Sequence, residues 1–148
     1  MISATYSPTP PPFLRASKPR GRKRQGVKYE ASGQAHLTER FGSAYLPSPW
    51  IRFTDDNGSH WCQPDGLLSI SDWLVIVEFK YQHTSDAWTQ LRLLYEPVVK
   101  VLHPGLPVGV LEIVKWYDCA LAFPEPVKLV KDVAAHLSQE FGVHIWKP

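Results

Sequence analysis

Three features of the 148-residue sequence predict an α/β protein built on a mixed sheet with helices on its faces. Apolar residues recur every four positions near the N-terminus, an unbroken apolar run stands near the middle, and strand-like and helix-like segments alternate around it. The run, Trp73-Leu74-Val75-Ile76-Val77-Glu78-Phe79, is apolar on both faces, as a central strand covered on both sides must be. With 44% hydrophobic and 20% charged residues, the length suits one domain with its own core.

Each element has its own signal. From about Tyr29 to Tyr45, the repeat Leu37, Phe41, Tyr45 marks one face of a first helix, with Gly42 near its end. Trp50 to Thr54, the turn Asp55-Asp56-Asn57-Gly58 and a run from about Ser59 to Ile70 predict a hairpin, because Asn-Gly tolerates the positive φ of a tight turn. The apolar run is the third strand. Thr84, Ser85 and Asp86 offer N-caps to a second helix through Ala87, Leu91, Leu94 and Tyr95, bent or ended near Pro97 and stopped by His103-Pro104-Gly105. Strands are expected next at Val108 to Trp116 and at about Cys119 to Phe123. A helix from about Pro126 to Phe141 and a short edge strand at Val143 to Trp146 complete the series.

The net charge of +2 hides a division. Residues 1–29 hold seven of the 16 basic residues and none of the 14 acids: Arg15, Lys18, Arg20, Arg22, Lys23, Arg24 and Lys28. The other nine cations face all the acids, so an acidic body carries a basic segment. Pro8, Pro10, Pro11 and Pro12 preclude a helix or a central strand, and Gly21 and Gly26 loosen the basic stretch. Residues 1–28 are therefore expected to be a disordered, Pro-rich and basic arm, and residues 29–148 the folded domain.

Several classes are excluded or disfavoured. No apolar stretch approaches the roughly 20 residues of a membrane-spanning helix, and prolines stand where a signal peptide would be apolar. Cys62 and Cys119 are too few for a disulfide framework or a thiolate metal site, which points to a reducing, cytoplasmic setting. The six histidines show no zinc spacing, each being expected at the surface or partly buried, and no nucleophile elbow or Gly-rich phosphate loop suggests an organic cofactor. Trp73, Trp88 and Trp116 lie in apolar runs and are expected in the core, and Glu112 is either an acid that supports the site from behind or, more commonly for such a residue, half of an ion pair with a neighbour such as Lys115.

Chemistry concentrates at Pro64-Asp65-Gly66 and Glu78-Phe79-Lys80. Side chains alternate along a strand, so Glu78 and Lys80 share one face and Phe79 enters the opposite layer. An ionised carboxylate at the end of an apolar strand costs several kcal/mol unless a partner or cation compensates. A divalent metal is one economical compensation; an ion pair with Lys80, and Asp65 as a turn cap, is the plainer one.

In Pro64-Asp65 followed by Glu78-Phe79-Lys80, the chain resembles the PD-(D/E)XK nuclease superfamily over roughly residues 29–116. The resemblance implies a restriction-endonuclease-like fold in which Asp65, Glu78 and the main-chain carbonyl of Phe79 hold Mg²⁺, with Mn²⁺ as a substitute, while Lys80 orients or helps deprotonate a water. Such members also carry an acid on the first helix. At 100° per residue Glu30 falls close to the Leu37 and Phe41 direction whereas Glu39 points away, so Glu30 is the candidate, unless it merely complements the dipole of a first helical turn. Gln90 with Tyr95 is similar to the glutamine–tyrosine motif of the RecB-like branch, one residue more widely spaced. The activity implied is metal-dependent DNA hydrolysis by a structure-specific or junction endonuclease of the kind used in phage or mobile-element recombination and repair. An end-processing exonuclease and an inactive nucleic-acid-binding protein of the same fold are the alternatives. The implied partners are DNA, held by the basic arm, and a second copy in a homodimer, in the cytoplasm or in a host's cytoplasm if phage-encoded.

Overall fold

The computed structural model describes residues 1–14, 22–119 and 123–148. Two sheets organise the chain. A three-stranded antiparallel sheet has the order β1 (Ser3–Ser7), β3 (Trp50–Asp55), β4 (Gly58–Cys62). A six-stranded mixed sheet has the order β2 (Tyr45–Pro47), β5 (Gly66–Ile70), β6 (Trp73–Gln82), β7 (Val108–Trp116), β9 (Phe141–Ile145), β8 (Val127–Leu129). Pairing from β2 to β6 is antiparallel and from β6 to β8 parallel. The chain is thus mixed α/β, as the alternation of patterns predicts.

The helix α1 (Arg22–Phe41) covers one face of the large sheet. Its Tyr29 and Leu37 pack with Val75, Val77, Phe79, Leu111 and Ile113, the residues of β6 and β7 that point to that side. Contact is close: a Cβ on Gly33 would lie 2.2 Å from the Phe79 ring. The opposite face is covered by a continuous helical segment in three parts, α2 (Ser85–Trp88), a π-helical stretch Thr89–Tyr95, and α3 (Glu96–Leu102). In the π stretch the hydrogen bonds span five residues, as in Glu96 N–H to the Leu91 carbonyl. Leu91, Tyr95, Val98 and Val99 form one core with Leu74, Ile76, Val110 and Phe141 of the large sheet and Ile51, Phe53 and Cys62 of the small one. Among the described residues no helix is long and apolar enough to cross a membrane.

Four expectations are corrected. The N-terminal segment contributes β1, an edge strand whose partner is β3, so the prolines after Ser7 end a strand instead of preventing one. The first helix starts at Arg22, so Arg22, Lys23, Arg24 and Lys28 ride on its first two turns; Gly26 is a tolerated helix interior. Arg15, Lys18 and Arg20 lie outside the described residues. The run from Ser59 to Ile70 is two strands in different sheets, because Pro64 has no amide for a ladder and the Gln63 side chain donates to the Ser48 carbonyl at 3.0 Å. The hairpin itself forms, with Gly58 alone at positive φ, +115°.

The C-terminal part differs most. Instead of a helix from Pro126 to Phe141 there are β8, a 3₁₀ turn at Val133–Ala135 capped by Asp132, and then β9. Tertiary pairing overrides the helical pattern: Phe141 must pair with both Val110 and Val127, which makes β9 an interior strand and β8 the edge. His136 closes this turn. It is fully buried, its Nε2 lies 2.9 Å from the Val110 carbonyl, and its ring fills the space a Cβ on Gly142 would need. Of the strand expected at Cys119 to Phe123, residues 120–122 lie outside the described residues.

Candidate active site

Asp65, Glu78, Lys80 and Glu30 come together where β5 begins and β6 runs on beyond it, paired only with β7. The β5–β6 ladder starts at Gly66 opposite Val77, so the edge of β6 beyond Val77 has no β5 partner. Asp65 occupies that gap: its Oδ2 accepts from the Phe79 amide at 2.7 Å. On an extended strand the N–H and C=O of one residue point the same way, so the Phe79 carbonyl faces the gap beside Asp65.

The loop carrying Asp65 is fastened from three sides. Gln34 on α1 donates to the Asp65 carbonyl at 2.6 Å, Tyr45 donates to the Gln34 side-chain oxygen, and the Ser48 amide donates to the Asp65 carbonyl at 2.7 Å. Tyr95 donates to the Gln63 carbonyl at 3.2 Å. These bonds fix the main chain, which leaves the Asp65 carboxyl aimed at β6.

The electrostatics are those of crowded acids. Burial raises the pKa of Asp65, and the nearby Glu78 and Glu30 raise it further, with Glu30 within hydrogen-bonding reach. Burial likewise raises Glu78, while Lys80, 3.7 Å away, pulls it back down. Glu78 Oε2 is buried and among the described residues has no hydrogen-bond partner. Of the two acids on α1, Glu30 is half-buried and faces Asp65, whereas Glu39 is exposed. Glu30 is the ninth residue of a 20-residue helix, so dipole complementation in a first turn does not account for it.

Gln90 lies in the π stretch with its side-chain oxygen buried and, among the described residues, unpartnered. Tyr95 is buried close enough to Glu78 and Asp65 for both to raise its pKa, after burial itself. The five-residue step of the π stretch sets Gln90 and Tyr95 on one side of the helix despite their wider spacing.

The donor set suits a hard divalent cation: two carboxylates and a carbonyl at one strand edge, a third acid beside them, and a buried carboxylate oxygen with no partner. As placed, among the described residues no group of three or more His, Cys, Asp or Glu side chains forms a metal cage. The donors at the β6 edge are instead two side chains and a main-chain oxygen.

A second polar pair was not singled out from the sequence. Glu112 stands opposite Glu78 in the β6–β7 ladder and is fully buried. Its Oε1 lies 2.9 Å from Nδ1 of His83, which is also buried and stacks on Phe123 at 4.2 Å between ring centres. Burial pushes the Glu112 carboxyl up to about 8, with Lys80 opposing. Glu112 therefore pairs with His83 and not with Lys115, and His83 and His136 are core residues. The available signal was a second acid inside a second apolar strand, Val108 to Val114. Trp116 is also corrected: it ends β7 and is 46% exposed.

In comparisons with known proteins, no protein-family model, no curated protein and no solved structure matches this chain.

Proposed function

We propose that this chain is a divalent-metal-dependent DNA nuclease of the PD-(D/E)XK type, hydrolysing phosphodiester bonds at the edge of β6. The observation that carries the reading is the convergence of Asp65, Glu78 and Glu30 on one unpaired strand edge with Lys80 beside them. Crowding the buried Glu78 with the half-buried Asp65 and Glu30 is costly without a cation to bind, which favours a metal site over a purely structural one.

Asp65, Glu78 and the Phe79 carbonyl would hold Mg²⁺ or Mn²⁺, with Glu30 as the further acid. When bound, the metal supplies charge stabilisation at the phosphoryl oxygens and a more acidic water. Lys80 shares a face with Glu78 and is a quarter exposed, so its ammonium is placed to orient the attacking water and to offset charge growing on the phosphoryl group. Gln90 offers its side-chain amide from the helix opposite. The water oxygen bonds to phosphorus as the water gives up a proton to solvent, the bond to the leaving deoxyribose oxygen breaks, and that oxygen takes up a proton from solvent, so that one water is consumed overall. The cations on the first turns of α1, and those preceding it in sequence, would hold the phosphate backbone.

The test is cleavage of linear and branched DNA with Mg²⁺ by the full chain and by Asp65→Ala and Glu78→Ala. Both variants are expected to lose cleavage by at least about a hundredfold while binding DNA in EDTA as the parent does. Cleavage at the parent rate by either variant would refute the assignment.

A further inference from the structure

The far ends of β6, β7 and β9 carry a second polar surface next to the candidate active site. Two shallow grooves meet there. One is lined by Gln25, Lys80, Tyr81, Gln82 and Thr84. The other is lined by Gln25, Tyr81, Lys28, Lys115 and Pro148, among others. Gln25 and Tyr81 belong to both, so one strip of surface leads from Lys80 to Lys28 and Lys115.

Cations and aromatic faces alternate along this strip. The Lys115 ammonium lies 5.5 Å from the Tyr81 ring centre and 5.7 Å from that of Trp116. The Lys147 ammonium lies 4.5 Å from the Trp116 ring centre. Several cations elsewhere are neutralised: Arg92 pairs with Glu96 and Glu125, Arg40 with Asp132, and Lys100 with Glu96, whereas among the described residues Lys23, Arg24, Arg52 and Lys131 form no ion pair. Among the described residues, Lys28, Lys115 and Lys147 form none of the ion pairs. The acids nearest in the sheet, Glu78 and Glu112, are buried.

Unneutralised ammonium groups beside accessible rings fit a ligand that offers an anion and a flat π face at each repeat, which is a polynucleotide. A paired base hides its faces in the duplex stack, whereas an unpaired one can lie on an exposed indole. We infer that the Lys28–Tyr81–Lys115–Trp116–Lys147 strip is a binding track for single-stranded nucleic acid leading to Lys80. Its nucleotides stack on Trp116 and their phosphates meet Lys115 and Lys147. The inference rests on the proposed function for where the strand is cut, though not for whether it binds. The substrate class is thereby narrowed to DNA with an unpaired segment next to the cleaved bond.

The experiment measures fluorescence anisotropy of a labelled 20-mer of thymidylate and of a blunt 20-base-pair duplex, in EDTA, across a salt series. It compares the full chain with Trp116→Ala, Trp116→Tyr and Lys115→Ala/Lys147→Ala. Trp116→Ala should weaken single-strand binding roughly tenfold and duplex binding less than about twofold, and Trp116→Tyr should restore most of the loss. The double lysine variant should flatten the slope of log affinity against log salt by about 1.4 on the single strand. Unchanged single-strand affinity and slope in these variants would overturn the inference, and so would equal losses on duplex. If the parent binds the single strand through Trp116 but cuts no DNA with Mg²⁺, the nuclease reading fails and the track stands; if it cuts while the strip variants bind normally, the track fails alone.

Discussion

Two glycines on α1 provide a paired test of where that helix begins and what it rests on. At Gly33 a Cβ would stand 2.2 Å from one carbon of the Phe79 ring and 2.6 and 2.8 Å from two others. Ordinary contact begins near 3.4 Å, so helix and strand must separate by about 1.2 Å, or the buried ring must leave its place against Tyr29. Overpacking of that severity costs about 3 kcal/mol, and alanine's better helix propensity offsets about 1. Gly33→Ala should therefore lose about 2 kcal/mol, lowering the unfolding midpoint by about 4–8 °C. At Gly26 a Cβ would meet nothing within 4 Å among the described residues, so Gly26→Ala keeps only the propensity gain of about 0.5–1 kcal/mol and should raise the midpoint. Urea and thermal unfolding by circular dichroism read both. A Gly33→Ala protein as stable as the parent would show that α1 does not press on Phe79. A Gly26→Ala protein with no gain would show that residues 22–28 are not helical.

Three further outcomes bear on the site. Lys80→Ala should lose cleavage yet bind Mn²⁺ by calorimetry within about threefold of the parent, since the amine acts on water and charge and is no ligand; loss of metal binding would contradict this. Glu30→Gln should impair cleavage far more than Glu39→Gln, because only Glu30 faces Asp65; the reverse ranking would place the wrong acid in the site. The Glu112 carboxyl, ordinarily near 4.5, is held to about 8 in the fold, so the folded state keeps a proton there that the unfolded chain has lost. Its contribution makes stability fall as pH rises through that window, and Glu112→Gln should flatten the decline in denaturant midpoint between about pH 5 and pH 8. An unchanged slope would show that Glu112 ionises normally.

The parts of the site set by local periodicity were legible in the sequence. Alternation along β6 places Glu78 and Lys80 together, and helical phase separates Glu30 from Glu39. Both depend only on geometry within one element. The position of Asp65 against Phe79 depends on where β5 stops pairing with β6, a register that nothing in Gln63-Pro64-Asp65 announces. The His83–Glu112 pair needs the parallel β6–β7 alignment, which sequence spacing across a helix of 18 residues does not define. The segment after Pro126 misled for a different reason. Val130, Val133 and Leu137 suit one face of a helix, but the open edge of β7 gains more from a paired strand than an isolated short helix gains from its own bonds.

The π-helical stretch changes what a length difference inside α2–α3 would mean. Deletions are ordinarily tolerated in loops and ruinous within helices, because each residue lost from an α-helix rotates everything beyond it by about 100°. Here the widened turns from Thr89 to Tyr95 already hold surplus backbone, and removing one residue between Gln90 and Tyr95 would let the segment tighten to ordinary α-helix with both ends in register. A gap in the middle of this helix would thus be a conservative change, and a gap in the short turn between β5 and β6, which sets Asp65 against Phe79, a destructive one.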